Sequence, residues 1–226
     1  MVGKTSRSDN YQELCRQWQE RYLSMDRNEL KARFNLRADD HAHYITYYQD
    51  EYRLDQQDGS LTLVSDPNRV ISFNTTMAIY TLFHYSKPEA KVCGEFVPFR
   101  EVKRAAPFAP AFQRMIVDPF CKSFSGQIGL LKSACEALHG QPIPQGDIGA
   151  VFHAFDWMPV RLAFWDGDDE FDAQATILFD ANITDFLHEE SVVCIGADLV
   201  RRLCEEAGLP ISKDLLGSTL SGQKPH

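Results

Sequence analysis

Between Trp165 and Phe171 the chain reads Trp-Asp-Gly-Asp-Asp-Glu-Phe, four carboxylates in five positions closed on both sides by an aromatic ring. Three kinds of chemistry fit such a segment. Asp166-Gly167 is standard turn chemistry, so the acids can solvate a hairpin tip while Trp165 and Phe171 pack beneath it. Carboxylates also suit a hard cation. Counted from Asp166 or Asp168, however, position twelve is Ile177 or Phe179, where a calcium loop needs Glu. The third use is recognition or acid–base work by Asp168 or Glu170 with Asp180, because paired carboxylates can hold different pKa values and divide the two duties.

Other candidates surround this segment. Asp180 precedes a helix-forming run and reads as its N-cap. Arg161 lies on a strand, where it can pair with the acidic turn or hold an anionic ligand. His41-x-His43 has the spacing that puts two rings on one strand face, with Asp39 and Asp40 beside it, and is a weak candidate for a borderline metal. His84 and His153 read as hydrogen-bonded core residues. Tyr44, Tyr47, Tyr48 and Tyr52 can stack a planar ligand or pack under helices. No Gly-x-Ser-x-Gly elbow is present, and Ser125-Gly126-Gln127-Ile128-Gly129 lacks the lysine of a phosphate loop.

These residues need elements to position them. Tyr11, Leu14, Cys15, Trp18 and Tyr22 form one helical stripe, with an Asp9/Gln12 capping pattern ahead of them. A second helix starts at Asp26 and presents Leu30 and Phe34. His43–Tyr48, 51–55 and 61–64 read as a small antiparallel meander, with Asp58-Gly59 as a hairpin turn. Residues 74–85 read as a buried helix ended by Lys87-Pro88, and 95–99 as a short extended piece. Helices follow over 108–124, kinked or split at Pro119, and over 126–138. Strands over 150–155, 160–165 and 175–179 come next, with the turn 156–159 between the first two and the acidic segment between the last two. A helical region then runs from Asp180 to about Ala207, stopped by Gly208-Leu209-Pro210. The pattern predicts an α+β fold, an antiparallel sheet packed with helices, as a single domain over 1–226. Its ordered core spans 9–208, and residues 209–226 form a mobile tail.

The whole-chain figures narrow the function. A chain of 226 residues, 44% hydrophobic and 24% charged, is ordinary for a globular protein. It buries about 70% of its unfolded surface without the help of a metal or disulfide. A net charge of -9 argues against nucleic acid and anionic membrane surfaces. No apolar run approaches the roughly 20 residues that span a bilayer, and no apolar leader follows Met1. The six cysteines show no Cys-x-x-Cys spacing, which speaks against cluster and zinc-knuckle ligation and for reduced thiols in the cytoplasm.

Several segments together resemble one family. They are Leu82-Phe83-His84-Tyr85, Phe96-Val97-Pro98-Phe99-Arg100-Glu101, Phe112 with Arg114 and Pro119, Asp156-x-x-Pro159, Trp165–Phe171 and Leu178-Phe179-Asp180. In order and spacing, from about Asn10 to Leu203, they resemble the family of domain of unknown function 3786. The resemblance implies a source among anaerobic bacteria and archaea. Its acidic and aromatic signature falls on Gly167, Asp168, Glu170, Phe171 and Asp180, and it implies no catalytic role for them. The extra cysteine motif of some members is missing here, and the resemblance names no cofactor.

The resulting expectation is a cytoplasmic, non-catalytic binding or accessory module. It would recognise a protein partner or small ligand through Trp165, Asp168, Glu170, Phe171, Asp180 and Arg161. A hydrolytic or proton-transfer enzyme using Glu170 and Asp180 is the alternative, and a metal-handling protein of anaerobic metabolism is a weaker one.

Overall fold

A computed structural model describes residues 7–211. From residue 212 onward the expected tail lies outside the described residues.

The first half builds a four-stranded antiparallel meander. Helix α1 (Arg7–Leu23) lays Trp18 and Tyr22 into the core, and α2 (Arg27–Arg33) follows. The carboxylate of Asp26 accepts the N–H groups of Asn28 and Glu29 at 2.9 and 2.8 Å, satisfying donors that the first turn of α2 leaves free. Strands β1 (Arg37–Ala38), β2 (Ala42–Tyr47), β3 (Asp50–Asp55) and β4 (Leu61–Leu63) then pair in chain order. Gly59, at φ 73°, supplies the left-handed residue of the β3–β4 loop.

Helix α3 (Phe73–Tyr85) starts at Ser72, whose hydroxyl accepts the Thr75 N–H at 3.0 Å, and it is buried from Asn74 to Phe83. After β5 (Phe96–Pro98), a helical run covers α4 (Ala109–Phe112), a π-turn (Gln113–Val117) and α5 (Asp118–Phe124). The widened turn fits the expected break at Pro119. A proline ring clashes with the carbonyl four residues back and offers no N–H to it. The wider turn instead joins the Asp118 N–H to the Gln113 carbonyl. Helix α6 (Ile128–Ala137) leads to β6 (Gln141–Pro142), β7 (Ile148–Phe155), β8 (Met158–Trp165) and β9 (Gln174–Asp180).

The second sheet has the order β5-β9-β8-β7-β6 and is antiparallel throughout. Its period of two puts Phe152, Val160, Leu162, Phe164, Ile177 and Phe179 on one buried face. Val151, Arg161, Thr176 and Leu178 stand half-buried on the other. Helix α7 (Glu189–Glu206) packs against α3, and α1 covers α3. Tyr48 joins the sheets, its N–H donating to the Ala154 carbonyl at 2.9 Å. One continuous hydrophobic cluster runs from Trp18 to Cys204, in an α+β architecture. Among the described residues no helix is long and apolar enough to cross a membrane.

Candidate functional site: the acidic hairpin and the edge of β9

The register Trp165↔Gln174 makes residues 166–173 the loop of the β8–β9 hairpin. Two aspartates give it a fixed shape. The Asp168 carboxylate accepts the N–H groups of Glu170 and Phe171, both at 2.8 Å, and these bonds hold its pKa below the usual carboxylate range. The Asp166 carboxylate accepts the N–H groups of Gly126 and Gly167 at 2.8 and 2.9 Å, tying the loop to the α5–α6 junction. Asp169 and Glu170 point to solvent. The rings do not pack beneath the turn as expected. Trp165 is 40% exposed and Phe171 65% exposed, because the loop is tethered through its acids and backbone.

Beside this loop the sheet has an open edge. Strand β9 pairs with β8 from Gln174 to Phe179, but with β5 only from Leu178 to Asp180. The Ala181 N–H donates to the Glu95 carbonyl at 2.8 Å, which fixes the phase of the β5–β9 ladder. By alternation, Phe179 faces β5, and so do Ile177 and Ala175 further along. The N–H and C=O groups of Ile177 and Ala175 on that side have no strand partner among the described residues. A groove of about 380 Å³ runs along them, with Pro98, Trp165 and Gln113 in its walls. A second hollow of about 500 Å³ adjoins it, lined by Asp118, Lys122 and Asp172 and sharing Gln113, Gln174 and Ala175.

Asp180 and Arg161 do other work than expected. Asp180 ends β9 and does not cap a helix, since a short 3-10 turn (Ile183–Asp185) intervenes and His188 caps α7. Its fully buried carboxylate accepts the N–H groups of Cys93, Gly94 and Asn182 at 3.0, 2.7 and 2.9 Å, locking the loop ahead of β5. Glu170 lies before the start of β9 and Asp180 at its far end, and the strand's six residue steps span roughly 20 Å, so they do not form one acid–base pair. Arg161 makes no ion pair with the acidic turn. Its guanidinium lies 3.7 Å from the centre of the Phe96 ring, because the register puts Phe96 diagonally across β9 from it. His43 is buried and meets the Tyr22 hydroxyl at 2.8 Å, with burial lowering its pKa, whereas His41 is exposed at the turn before β2. The two rings therefore do not converge. Among the described residues no three His, Cys, Asp or Glu side chains gather as a metal site. His84 is exposed at the end of α3, edge-on to Trp18 at 5.3 Å, and is not a core residue.

The family model described as a domain of unknown function (DUF3786) matches residues 26–202. The chain belongs to the DUF3786 family. No curated protein and no solved structure matches it.

The DUF3786 chain also holds a buried polar network outside the sequence motifs. Asp198, in the middle of α7, is fully buried. It accepts from the Thr75 hydroxyl at 2.8 Å, the Tyr47 hydroxyl at 3.1 Å and Arg201 Nε at 3.2 Å. Arg201 also grips Glu205, and Arg202 reaches Asp50 at 2.7 Å and the Tyr52 hydroxyl at 3.0 Å. Burial, followed by the nearby Asp198 charge, raises the Tyr47 and Tyr48 pKa values well above the ordinary phenol value. This network joins the first sheet, α3 and α7. Tyr47, Tyr48 and Tyr52 thus pack under helices with satisfied hydroxyls, whereas Tyr44 stands half-buried on the outer face of β2 beneath Arg37.

Proposed function

We propose that this DUF3786 protein is a non-catalytic binding or accessory module that takes up an extended segment of a partner protein along the open edge of β9. The observation that carries this reading is the unpaired backbone of Ala175 and Ile177 beside a groove walled by the exposed Trp165. An added strand would continue the line of β5 and supply the missing hydrogen bonds, each worth about 1 kcal/mol. Charge selects the sequence of that segment. Asp118, Asp172 and the solvent-facing acids of the 166–173 loop outnumber Lys122 and Arg100 nearby, so a segment bearing Lys or Arg is favoured over an acidic one. In this reading the module works in the cytoplasm as a protein-binding component, not a nucleic-acid or membrane-surface one.

A short blocked peptide alternating Lys with Val tests the proposal by calorimetry, with a Glu/Val peptide as control. The basic peptide is expected to bind one to one and the acidic one to give no heat. Ala175→Pro removes an N–H that faces the open edge while sparing the β8 ladder, a position where an edge strand tolerates proline. It should weaken binding about tenfold or more, equivalent to about 1.4 kcal/mol. Equal binding of both peptides, or of the proline variant, would overturn the proposal.

A further inference from the structure

A third cavity, of about 500 Å³, lies between the end of α2, the loop after α3 and the β7–β8 turn, away from the acidic hairpin. Its composition is opposite to that of the chain as a whole. In a protein of net charge -9, the charged residues around it are Arg33, Lys87 and Lys91, and among the described residues no carboxylate lines it. Lys87 has a partner behind the wall, in Asp185. Arg33 does not. Its Nε and Nη2 atoms are shielded from water and have no hydrogen-bond partner among the described residues.

The apolar part of the lining comes from Phe34, Trp157 and Phe186. Trp157 is presented by the two-residue turn between β7 and β8 and is braced by stacking on Phe155, with centroids 5.7 Å apart. Phe34 lies beside the indole, its ring centroid 6.2 Å away. The wall carrying Lys87 and Lys91 is also fixed. Asp180 holds Cys93 and Gly94, the Asn182 side chain donates to the Lys91 carbonyl at 3.2 Å, and the Lys87 N–H donates to the Asp185 carbonyl at 2.8 Å.

We infer that this cavity is a binding site for a small planar organic anion, an aromatic or unsaturated body bearing a carboxylate or phosphate group. The Arg33 guanidinium has no acceptor among the described residues, although such groups nearly always have one; its Nε and Nη2 are closed off, so an anionic oxygen entering the cavity would pair with it through the remaining Nη1. The indole and phenyl surfaces take the planar body, and a volume of this size suits a small ligand. Lys91 is exposed at the rim and adds attraction without a required contact.

Calorimetry on the full chain with 2-naphthoate, naphthyl phosphate, neutral 2-naphthamide and inorganic phosphate tests the inference. At least one of the two aromatic anions should bind one to one, and the amide and inorganic phosphate should each bind at least tenfold more weakly than it. Whichever of the two anions binds more tightly identifies the head group. Arg33→Gln should weaken anion binding tenfold or more, Arg33→Lys should retain part of it, and Lys91→Gln should have the smaller effect. Because the Arg33 donors are unpaired without ligand, Arg33→Gln should leave the unliganded melting temperature unchanged or higher. A purely structural arginine would not behave this way. The inference is overturned if neither anion binds at millimolar concentration, if the amide binds as tightly as the anions, or if Arg33→Gln binds them unchanged. Peptide binding at the β9 edge should be indifferent to Arg33→Gln, so either reading can fail without the other.

Discussion

Replacing Asp198 with Ala is the sharpest test of what holds the first sheet, α3 and α7 together. The carboxylate is fully buried and accepts from Thr75, Tyr47 and Arg201 at 2.8, 3.1 and 3.2 Å. Its removal leaves two buried hydroxyls without their acceptor and deprives a nearly buried guanidinium of one of its two carboxylates. Breaking a buried pair by deleting one partner costs about 3–5 kcal/mol. Arg201 keeps Glu205, which places the expected loss toward the lower end of that range. Against a total stability of about 5–15 kcal/mol this is a large fraction. At about 2–4 °C per kcal/mol for a chain of this size, the melting temperature should fall by roughly 6–12 °C. Asp198→Asn keeps an acceptor oxygen but loses the charge, and it should cost about half as much. Urea denaturation followed by circular dichroism measures both. A loss below about 1 kcal/mol for the alanine variant would refute the reasoning, because a buried charge pair cannot be that indifferent to losing a member.

Asp180→Ala should orphan the Cys93, Gly94 and Asn182 amides, cost about 2–4 kcal/mol and open residues 87–95 to fast amide exchange, whereas exchange unchanged there would contradict the proposed lock. Stability should also fall at alkaline pH. Burial raises the thiols of Cys121 and Cys204 from 9.0 to about 11 and that of Cys135 to about 12, and it raises Tyr47 and Tyr48 well above the ordinary phenol value. For groups raised on folding, the stabilisation is complete below the unfolded value and is lost as pH rises toward the folded one. The urea midpoint should therefore fall steadily above pH 9, and a flat profile to pH 11 would be the contrary result. Gly146→Ala should cost at least about 2 kcal/mol, since Gly146 sits at φ 70° and a Cβ there would lie 2.4 Å from the Phe164 carbonyl oxygen. A melting temperature within a degree of the parent would count against that.

Much of the fold was legible where local chemistry decides it. Asp26 with its two amides, Gly59 in a hairpin loop and Pro119 beside the widened turn all act within a few residues of themselves. The alternating strands around the acidic loop were legible for the same reason. Asp180 was misread because an aspartate ahead of a helix-forming run looks like a cap, whereas its partners Cys93 and Gly94 lie far back in the chain. Asp198, Arg201 and Arg202 sit at the i, i+3 and i+4 spacing of a solvated helix face. Only the distant Tyr47, Tyr52 and Thr75 turn them into a buried network. Trp165 and Phe171 were legible as aromatic flanks of the turn, but their exposure depends on Asp166 reaching Gly126. The open edge of β9 was not legible at all, since it arises from β5 ending at Pro98, three residues short of the full ladder opposite Ala175.

That edge is where the functional account is most exposed to test, and amide hydrogen exchange at Ala175 and Ile177 reads it directly. Free protein should exchange both amides faster than those of Thr176 and Leu178, which face β8. Saturation with the Lys/Val peptide should slow Ala175 and Ile177 selectively. Exchange that is already slow in the free protein, or unchanged by a bound peptide, would contradict strand addition at β9.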